Sequence, residues 1–158
     1  MQMLTGQQNG ITKMLWNLTS NVGAKSPNRP DDVQLVQFGF YCMGLPTAKL
    51  SDPSFRLIYA AVVPGAPFST DEYDKLMLAI RGLQRSRGGV QDGHISALKQ
   101  GQYTYRDASG KHGYLMETLT NNMFDGLEAS SRGMWPRLDK HPKCPPLVAA
   151  HIKAALTL

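Results

Sequence analysis

Apolar residues recur at helical spacing in the first third of the chain. The run from Pro30 to Gly44 is predicted to be a helix, because proline suits the first helical turn and glycine commonly ends one. Asn28 is the expected N-cap, and Asp31 and Asp32 suit the positive end of the helix dipole. The predicted buried stripe of this helix consists of Val33, Val36, Phe40 and Tyr41.

Two further helices are predicted before residue 90. The second is expected from Pro53 to about Val63, with Asp52 as its cap. The third is expected after the segment from Ser69 to Glu72, which has the spacing of a capping box, and it ends in a basic, glycine-rich turn. The expected buried positions are Phe55, Ile58, Tyr59 and Val62 in the second helix, and Tyr73, Leu76, Met77, Ile80 and Leu83 in the third.

The two ends of the chain follow weaker patterns. Residues 1–10 are polar and are expected to lack regular structure, whereas residues 11–18 fit a short strand or a turn of helix equally well. Alternating residues around a Ser-Gly turn predict a hairpin over residues 102–114, and residues 115–124 are typical of a helix. Behind a proline-rich linker, residues 147–158 predict a short apolar helix, which needs a partner surface in this chain or in another.

Composition and charge agree with one packed domain. The chain has 158 residues, of which 42% are hydrophobic and 18% are charged, so it can bury a core. Residues 1–80 carry six basic and six acidic side chains, whereas residues 81–158 carry eleven and six, so the whole net charge of +5 lies in the second half. A basic segment can attract polyanions. Here the basic residues are spread along the segment, which favours an ordinary solvated surface. The expected fold class is mainly α, with a compact three-helix core, a small β-hairpin and a C-terminal helical extension.

Two segments of the chain carry a family resemblance. Residues 21–37 read NVGAKSPNRPDDVQLVQ, and they are followed by AIRGLQ at residues 79–84 and by Asp92-Gly93. This order resembles bacterial peptidoglycan-binding-like domains, in which an Asp-Val-x-x-Val-Gln-type helix precedes an Ala-Ile-x-x-Phe-Gln-type helix and an Asp-Gly turn. The match covers about residues 21–125, with Leu83 where members of the family usually have Phe. The apolar insert over residues 45–67, the predicted hairpin and the tail depart from it.

The resemblance implies a compact three-helix module that attaches an enzyme or an assembly to the cell wall and is not itself catalytic. It divides the chain into an N-terminal extension over residues 1–20, a peptidoglycan-binding-like domain over residues 21–128, and a proline-rich linker with a C-terminal helix over residues 129–158. No enzyme accompanies the module in this sequence, which weakens the interpretation as a wall anchor. The missing secretory signal and a C-terminal helix without an obvious partner surface favour protein–protein assembly.

Six residues are the predicted ligand-binding positions. Arg81 and Arg85 lie one helical turn apart and can face one ligand, although cations also simply stabilise a helix C-terminus. Tyrosine rings with neighbouring cations can stack on sugars or bases and attract anions, although exposed tyrosines are also ordinary in a hairpin. The full predicted set is Arg81, Arg85, Tyr103, Tyr105, Arg106 and Lys111.

Other polar residues favour structural roles. Gln37 and Gln84 lie beside apolar faces and are expected to bond loop backbone, since an unpaired buried amide costs about 1–3 kcal/mol. Asp92-Gly93 is expected to be a turn. Cys42 and Cys144 are expected to be separate reduced thiols, with one bridge between helix and tail as the alternative.

Histidine and cysteine spacing gives no zinc-hydrolase motif. His94 and His112 with Asp92 or Asp107 are the alternative metal site, and His141 with Cys144 is a weaker pair. We therefore predict no catalytic residue, no metal site and no cofactor, and we expect that the chain is not an enzyme.

The expected function is a non-catalytic binding or adaptor module of a bacterial or phage assembly associated with the wall or with secretion or injection. Its expected partners are peptidoglycan or an assembly protein, with a homo-oligomer through the C-terminal helix as a further option. The alternatives are a small metal-dependent wall hydrolase using His94 and His112, and a weak basic nucleic-acid binder. The N-terminus lacks the features of a secretory signal, and no apolar run is long enough to span a membrane. We thus expect a cytoplasmic product whose export would need a Sec-independent route.

Overall fold

A computed structural model describes residues 1–8, 11–99, 114–126 and 138–157. The strands are β1 (Gln2–Gln8), β2 (Ile11–Asn17), β3 (Val22–Gly23) and β4 (His94–Ile95), and the helices are α1 (Pro30–Gly44), α2 (Arg56–Ala60), α3 (Lys75–Arg87), α4 (Leu115–Gly126) and α5 (Pro146–Leu156), with 3-10 turns at Pro53–Phe55 and Leu138–Lys140. Helices predominate in the described part of the chain, so the expected mainly α class is confirmed.

Helix α1 is the centre of the core. Leu35, Val36, Phe38 and Phe40 are all fully buried, although they point in different directions around the helix. A helix that is apolar on nearly all sides must be covered on several sides, and α2, α4 and α5 all pack against α1. The predicted bounds of this helix are confirmed.

The N-terminal segment forms a hairpin, so the expectation that residues 1–10 lack regular structure is wrong. Strands β1 and β2 pair antiparallel from Gln2 with Asn17 to Gln8 with Ile11. Leu4, Trp16 and Leu18 are buried in the core, and the burial of their apolar surface stabilises the packing of the hairpin on the helices. The hairpin predicted over residues 102–114 lies almost wholly outside the described residues.

Two predicted caps differ from the observed ones. Arg29, not Asn28, occupies the N-cap position of α1, because the Asn28 side chain is bonded to Gly23 instead. The cap of α3 is Asp74, whose carboxylate accepts from the amides of Leu76 and Met77. The helix therefore starts after the predicted capping box.

The apolar stripes are confirmed in part: Tyr59 and Val62 of the second predicted helix are buried, whereas Ile58, which was expected to be buried, is 37% exposed. Leu76, Met77, Ile80 and Leu83 of α3 are buried, whereas Tyr73 precedes the helix and is 77% exposed. The second predicted helix begins as a 3-10 turn capped by Asp52 and continues as α2, which ends at Ala60, earlier than expected.

Helix α5 finds its partner surface within the chain. Val148 and Ile152 are buried in the common core, and α5 packs against α1. Polar contacts reinforce this docking: the Leu147 amide donates to Gln34 Oε1 at 3.1 Å, and His151 Nε2 lies 3.3 Å from Asp31 Oδ2. The apolar face of α5 is thus covered by the chain itself. None of the helices in the described ranges is both long and apolar enough to cross a membrane.

Candidate functional site

The two segments that carry the sequence resemblance meet in the fold. Strands β3 and β4 pair Val22 with Ile95 and Gly23 with His94, and the amide of Ala24 donates to the carbonyl of Gly93 at 2.9 Å. We call residues 21–29 together with residues 92–96 the loop–turn unit. It joins the loop before α1 to the turn after α3.

Gly23 allows this close approach. Its φ is 120°, and a Cβ at this position would lie 2.2 Å from the carbonyl oxygen of Gly93. Asn28 shapes the same loop, because its side chain accepts from the Gly23 amide at 2.7 Å and donates to the Gly23 carbonyl at 3.0 Å. A side chain larger than hydrogen at residue 23 would separate the two halves of the unit.

Gln84 ties the loop–turn unit to α3. Its Nε2 donates to Asp92 Oδ1 at 2.7 Å and to the His94 carbonyl at 3.0 Å, and its Oε1 accepts from the Gly93 amide at 2.9 Å. Burial acts to raise the pKa of Asp92, but bonds from the His94 amide and from Gln84 outweigh it and hold that pKa below its usual value. Gly93 has φ 77°, so the predicted Asp-Gly turn is confirmed.

Gln37 makes a matching clamp between α1 and the loop at residues 65–66. Its Nε2 donates to the Ala66 carbonyl at 2.9 Å, and its Oε1 accepts from the Gly65 amide at 2.9 Å. The structural interpretation of Gln37 and Gln84 is therefore confirmed: both buried amides hold a loop against a helix.

A polar cluster that the sequence did not reveal surrounds the start of α1. Asp32 is fully buried and accepts from the amides of Thr19 and Ser20, each at 2.9 Å, and its carboxylate lies 2.9 Å from the Met1 ammonium. Burial acts to raise the pKa of Asp31, but a bond from the Met1 ammonium and the charge of Arg29 hold it below its usual value. Only the helix-dipole role of these two carboxylates was predicted.

Two of the six predicted ligand residues are described, and they are neighbours. Arg85 is exposed, and Arg81 is half-buried with its Nε 3.5 Å from the point where a Cβ on Gly93 would lie. Within the described part of the chain neither guanidinium lies within 4.0 Å of a carboxylate. Tyr103, Tyr105, Arg106 and Lys111 lie outside the described residues.

Arg87, at the same helix end, has a different environment. Its guanidinium donates to Thr118 Oγ1 of α4 at 2.6 Å. Burial lowers the pKa of Arg87, against the opposing effect of the Glu117 carboxylate. Arg87 therefore links α3 to α4.

The structure describes only part of the candidate metal site. His94 Nδ1 lies 3.5 Å from Asp92 Oδ1, whereas His112 and Asp107 lie outside the described residues. In the described ranges no three His, Cys, Asp or Glu side chains are grouped closely enough to hold a metal ion.

Both cysteines are free thiols, as predicted, and burial raises the pKa of Cys42 to about 12 and that of Cys144 to about 11. His141 packs against the rings of Phe38 and Tyr41, and burial lowers its pKa.

An open groove of about 720 Å³ lies between the hairpin and the loop–turn unit. Its walls come from the start of β1, from residues 19–21 and from residues 97–99. No sequence pattern indicated this groove, because it depends on how the hairpin docks. Its lining mixes apolar and polar side chains, including Lys99.

A scan against protein-family models and searches of curated proteins and of solved structures found no match for this chain. The likeness to peptidoglycan-binding-like domains therefore rests on the residues of the two segments quoted above.

Proposed function

We propose that this chain is a non-catalytic binding or adaptor module of a bacterial or phage assembly that is associated with the cell wall or with secretion or injection. The observation that carries the proposal is the loop–turn unit. The two segments that resemble peptidoglycan-binding-like domains are distant in sequence, yet they are hydrogen-bonded to each other through Gly23, Ala24 and Gly93.

The use of polar side chains in this unit also supports the proposal. The side chains of Asn28, Gln84 and Asp92 form hydrogen bonds with backbone groups of the unit, and Gln84 also bonds Asp92. Such residues hold the loop in one conformation, and the exposed side chains around the loop are then the ones that contact a ligand. Arg81 borders the unit and Arg85 follows one turn later, so these two cations can contact an anionic group bound beside it.

The experiment is co-sedimentation of the purified protein with insoluble bacterial sacculi over a salt series. Protein in the pellet measures binding, and soluble wall fragments in the supernatant measure hydrolysis. We expect retention that survives high salt, because a specific site does not depend on screened charge alone, and we expect no release of fragments.

Substitutions locate the contact. Tyr103→Ala with Tyr105→Ala, and Arg81→Ala with Arg85→Ala, are expected to reduce retention. Tyr73→Ala is the matched control, because Tyr73 is exposed and lies outside the predicted site. Release of wall fragments would contradict the non-catalytic part of the proposal. Binding that salt abolishes, or no binding, would contradict the wall contact.

A further inference from the structure

Strand β1 has an open edge. β1 and β2 form a two-stranded sheet, and no third strand in the described residues pairs with either of them. Helix α4 packs against β2, whereas among the described elements only β2 makes an extensive contact with β1. The outer side of β1 is therefore a sheet edge, and a sheet edge can bind a further strand through its backbone.

The register of the hairpin determines which backbone groups lie at this edge. Gln8 pairs with Ile11 across two intervening residues, so Gln8 and Ile11 form the hydrogen-bonded pair that flanks a two-residue loop. Hydrogen-bonded and non-hydrogen-bonded pairs alternate along an antiparallel ladder. The amides and carbonyls of Met3, Thr5 and Gln7 consequently point away from β2.

This edge lacks the features that commonly block the addition of a strand. Native proteins protect edge strands with charged residues, proline, bulges or short length. β1 has seven residues without charge or proline, and its register with β2 is continuous. The outer edge of β2 is protected instead, because β2 contains Lys13 and the Thr120 hydroxyl of α4 donates to the Trp16 carbonyl. The same alternation places that carbonyl on the outer edge of β2.

The open edge is complementary to itself. When two copies of β1 run antiparallel about a two-fold axis at Thr5, Thr5 lies opposite the same residue of the second copy, and Met3 lies opposite Gln7. These three residues are the ones whose backbone groups point outward, so every outward amide and carbonyl of both strands forms a hydrogen bond. The strand is also neutral, so the pairing brings no like charges together, although each chain carries a net charge of +5.

The open groove of about 720 Å³ borders the same strand. Of the two strands of the hairpin, β1 contributes Gln2, Met3 and Leu4 to the described lining, and β2 contributes no residue. In the antiparallel pair, Gln8 of the second copy lies opposite Gln2. The turn end of each hairpin therefore lies next to the groove of the other copy, and one occupant explains both the open edge and the groove at its start.

We propose that β1 binds β1 of a second copy of this chain as an antiparallel, two-fold symmetric pair centred on Thr5, which joins the two hairpins into a four-stranded sheet. Growth stops at two copies, because the pairing uses the open edge of each chain and α4 covers part of the β2 edge. This inference goes beyond the proposed function, and it uses none of the residues assigned to the wall contact.

The first test is sedimentation velocity of the full chain over a concentration series that extends into the millimolar range. We expect a reversible monomer–dimer equilibrium. Thr5→Pro removes the central outward amide, which does not bond β2, and proline is tolerated at such edge positions. Each dimer of this variant lacks two hydrogen bonds, so we expect it to dimerise about tenfold more weakly.

Paired charge substitutions test the register. Met3 of one copy is expected to lie opposite Gln7 of the other, so Met3→Lys combined with Gln7→Lys places like charges opposite each other twice in each dimer. Met3→Lys combined with Gln7→Glu places opposite charges at the same positions and is the matched control. We expect the first double variant to dimerise about tenfold more weakly than the second, and added salt should reduce the difference. Circular dichroism establishes that each variant is folded.

A wild-type chain that stays monomeric throughout the series would overturn the inference. So would a dimer that folded Thr5→Pro leaves intact, or equal dimerisation of the two double variants, since the contact would then use another surface or another register. If Thr5→Pro does not fold, the two double variants decide. All of these variants retain Arg81 and Arg85, so sacculus binding tests the proposed function separately.

Discussion

Replacing Gln84 by leucine tests the clamp between α3 and the loop–turn unit. The side chain keeps a similar volume but loses two donated bonds and one accepted bond. The amide of Gly93 is buried and loses its partner, which costs about 1–3 kcal/mol, and each of the other lost bonds adds roughly 0.5–1.5 kcal/mol. We expect the free energy of unfolding to fall by about 3 kcal/mol, a large part of a typical stability of about 5–15 kcal/mol.

Urea denaturation followed by circular dichroism measures this change, and the melting temperature should fall by roughly 6–12 °C. Gln91→Leu is the matched control, because Gln91 is exposed next to the same turn and should change stability by no more than about 0.5 kcal/mol. A loss below about 1 kcal/mol for Gln84→Leu, or equal losses for both variants, would refute the clamp.

Three further predictions follow from the same contacts. Gly23→Ala should cost more than about 2 kcal/mol in urea denaturation, because the new methyl group would lie 2.2 Å from a carbonyl oxygen; a neutral result would contradict the described packing. Asp31 and Asp92 have pKa values below their ordinary 3.8, so the folded chain binds fewer protons at these residues than the unfolded chain does. Their contribution to the free energy of unfolding is therefore complete above pH 3.8 and is lost as the pH falls below it. Asp92→Asn should reduce the fall in the free energy of unfolding between neutral and acid pH. Cys42 and Cys144 should react slowly with a thiol reagent at neutral pH and fast in denaturant, since burial raises both thiol pKa values; fast reaction of the native chain would contradict their burial.

Sequence patterning predicted the helical part of the fold well, for a physical reason. Helix α1 has proline in its first turn and glycine at its end, and α3 ends at Gly88 in the left-handed conformation. These stop signals are local, and the buried stripes repeat every three or four residues. The sequence therefore contains the bounds of α1, the end of α3 and the inward faces of both helices.

Capping was predicted less well, because several nearby residues can supply the same oxygen. Ser69, Asp71 and Asp74 all accept hydrogen bonds within one short turn before α3. Asn28 was the best-placed cap by sequence, yet its φ of 52° turns the side chain back onto Gly23. The choice between such residues depends on the path of the loop, which is a tertiary property.

The N-terminal hairpin was missed although a signal existed. Asn9-Gly10 stands between the paired ends Gln8 and Ile11, and this dipeptide favours two-residue hairpin loops. The polar composition of residues 1–10 hid it. The burial of Asp32 beneath the Met1 ammonium had no local signal, because it depends on where this hairpin docks.

In the candidate site, too, features with a local sequence signal were predicted and features that depend on tertiary contacts were not. Gln37 and Gln84 were predicted as backbone clamps from their places beside apolar faces, and both make those bonds. That Arg81 borders the loop–turn unit depends on a contact across the fold, so it was visible only in the structure.

Retention on sacculi at high salt is the measurement that tests the proposed function most directly. The proposal predicts that the wild-type chain remains in the pellet after high-salt washing and releases no soluble wall fragments. A chain that salt removes completely from the sacculi, or one that solubilises them, would contradict a non-catalytic wall-binding module.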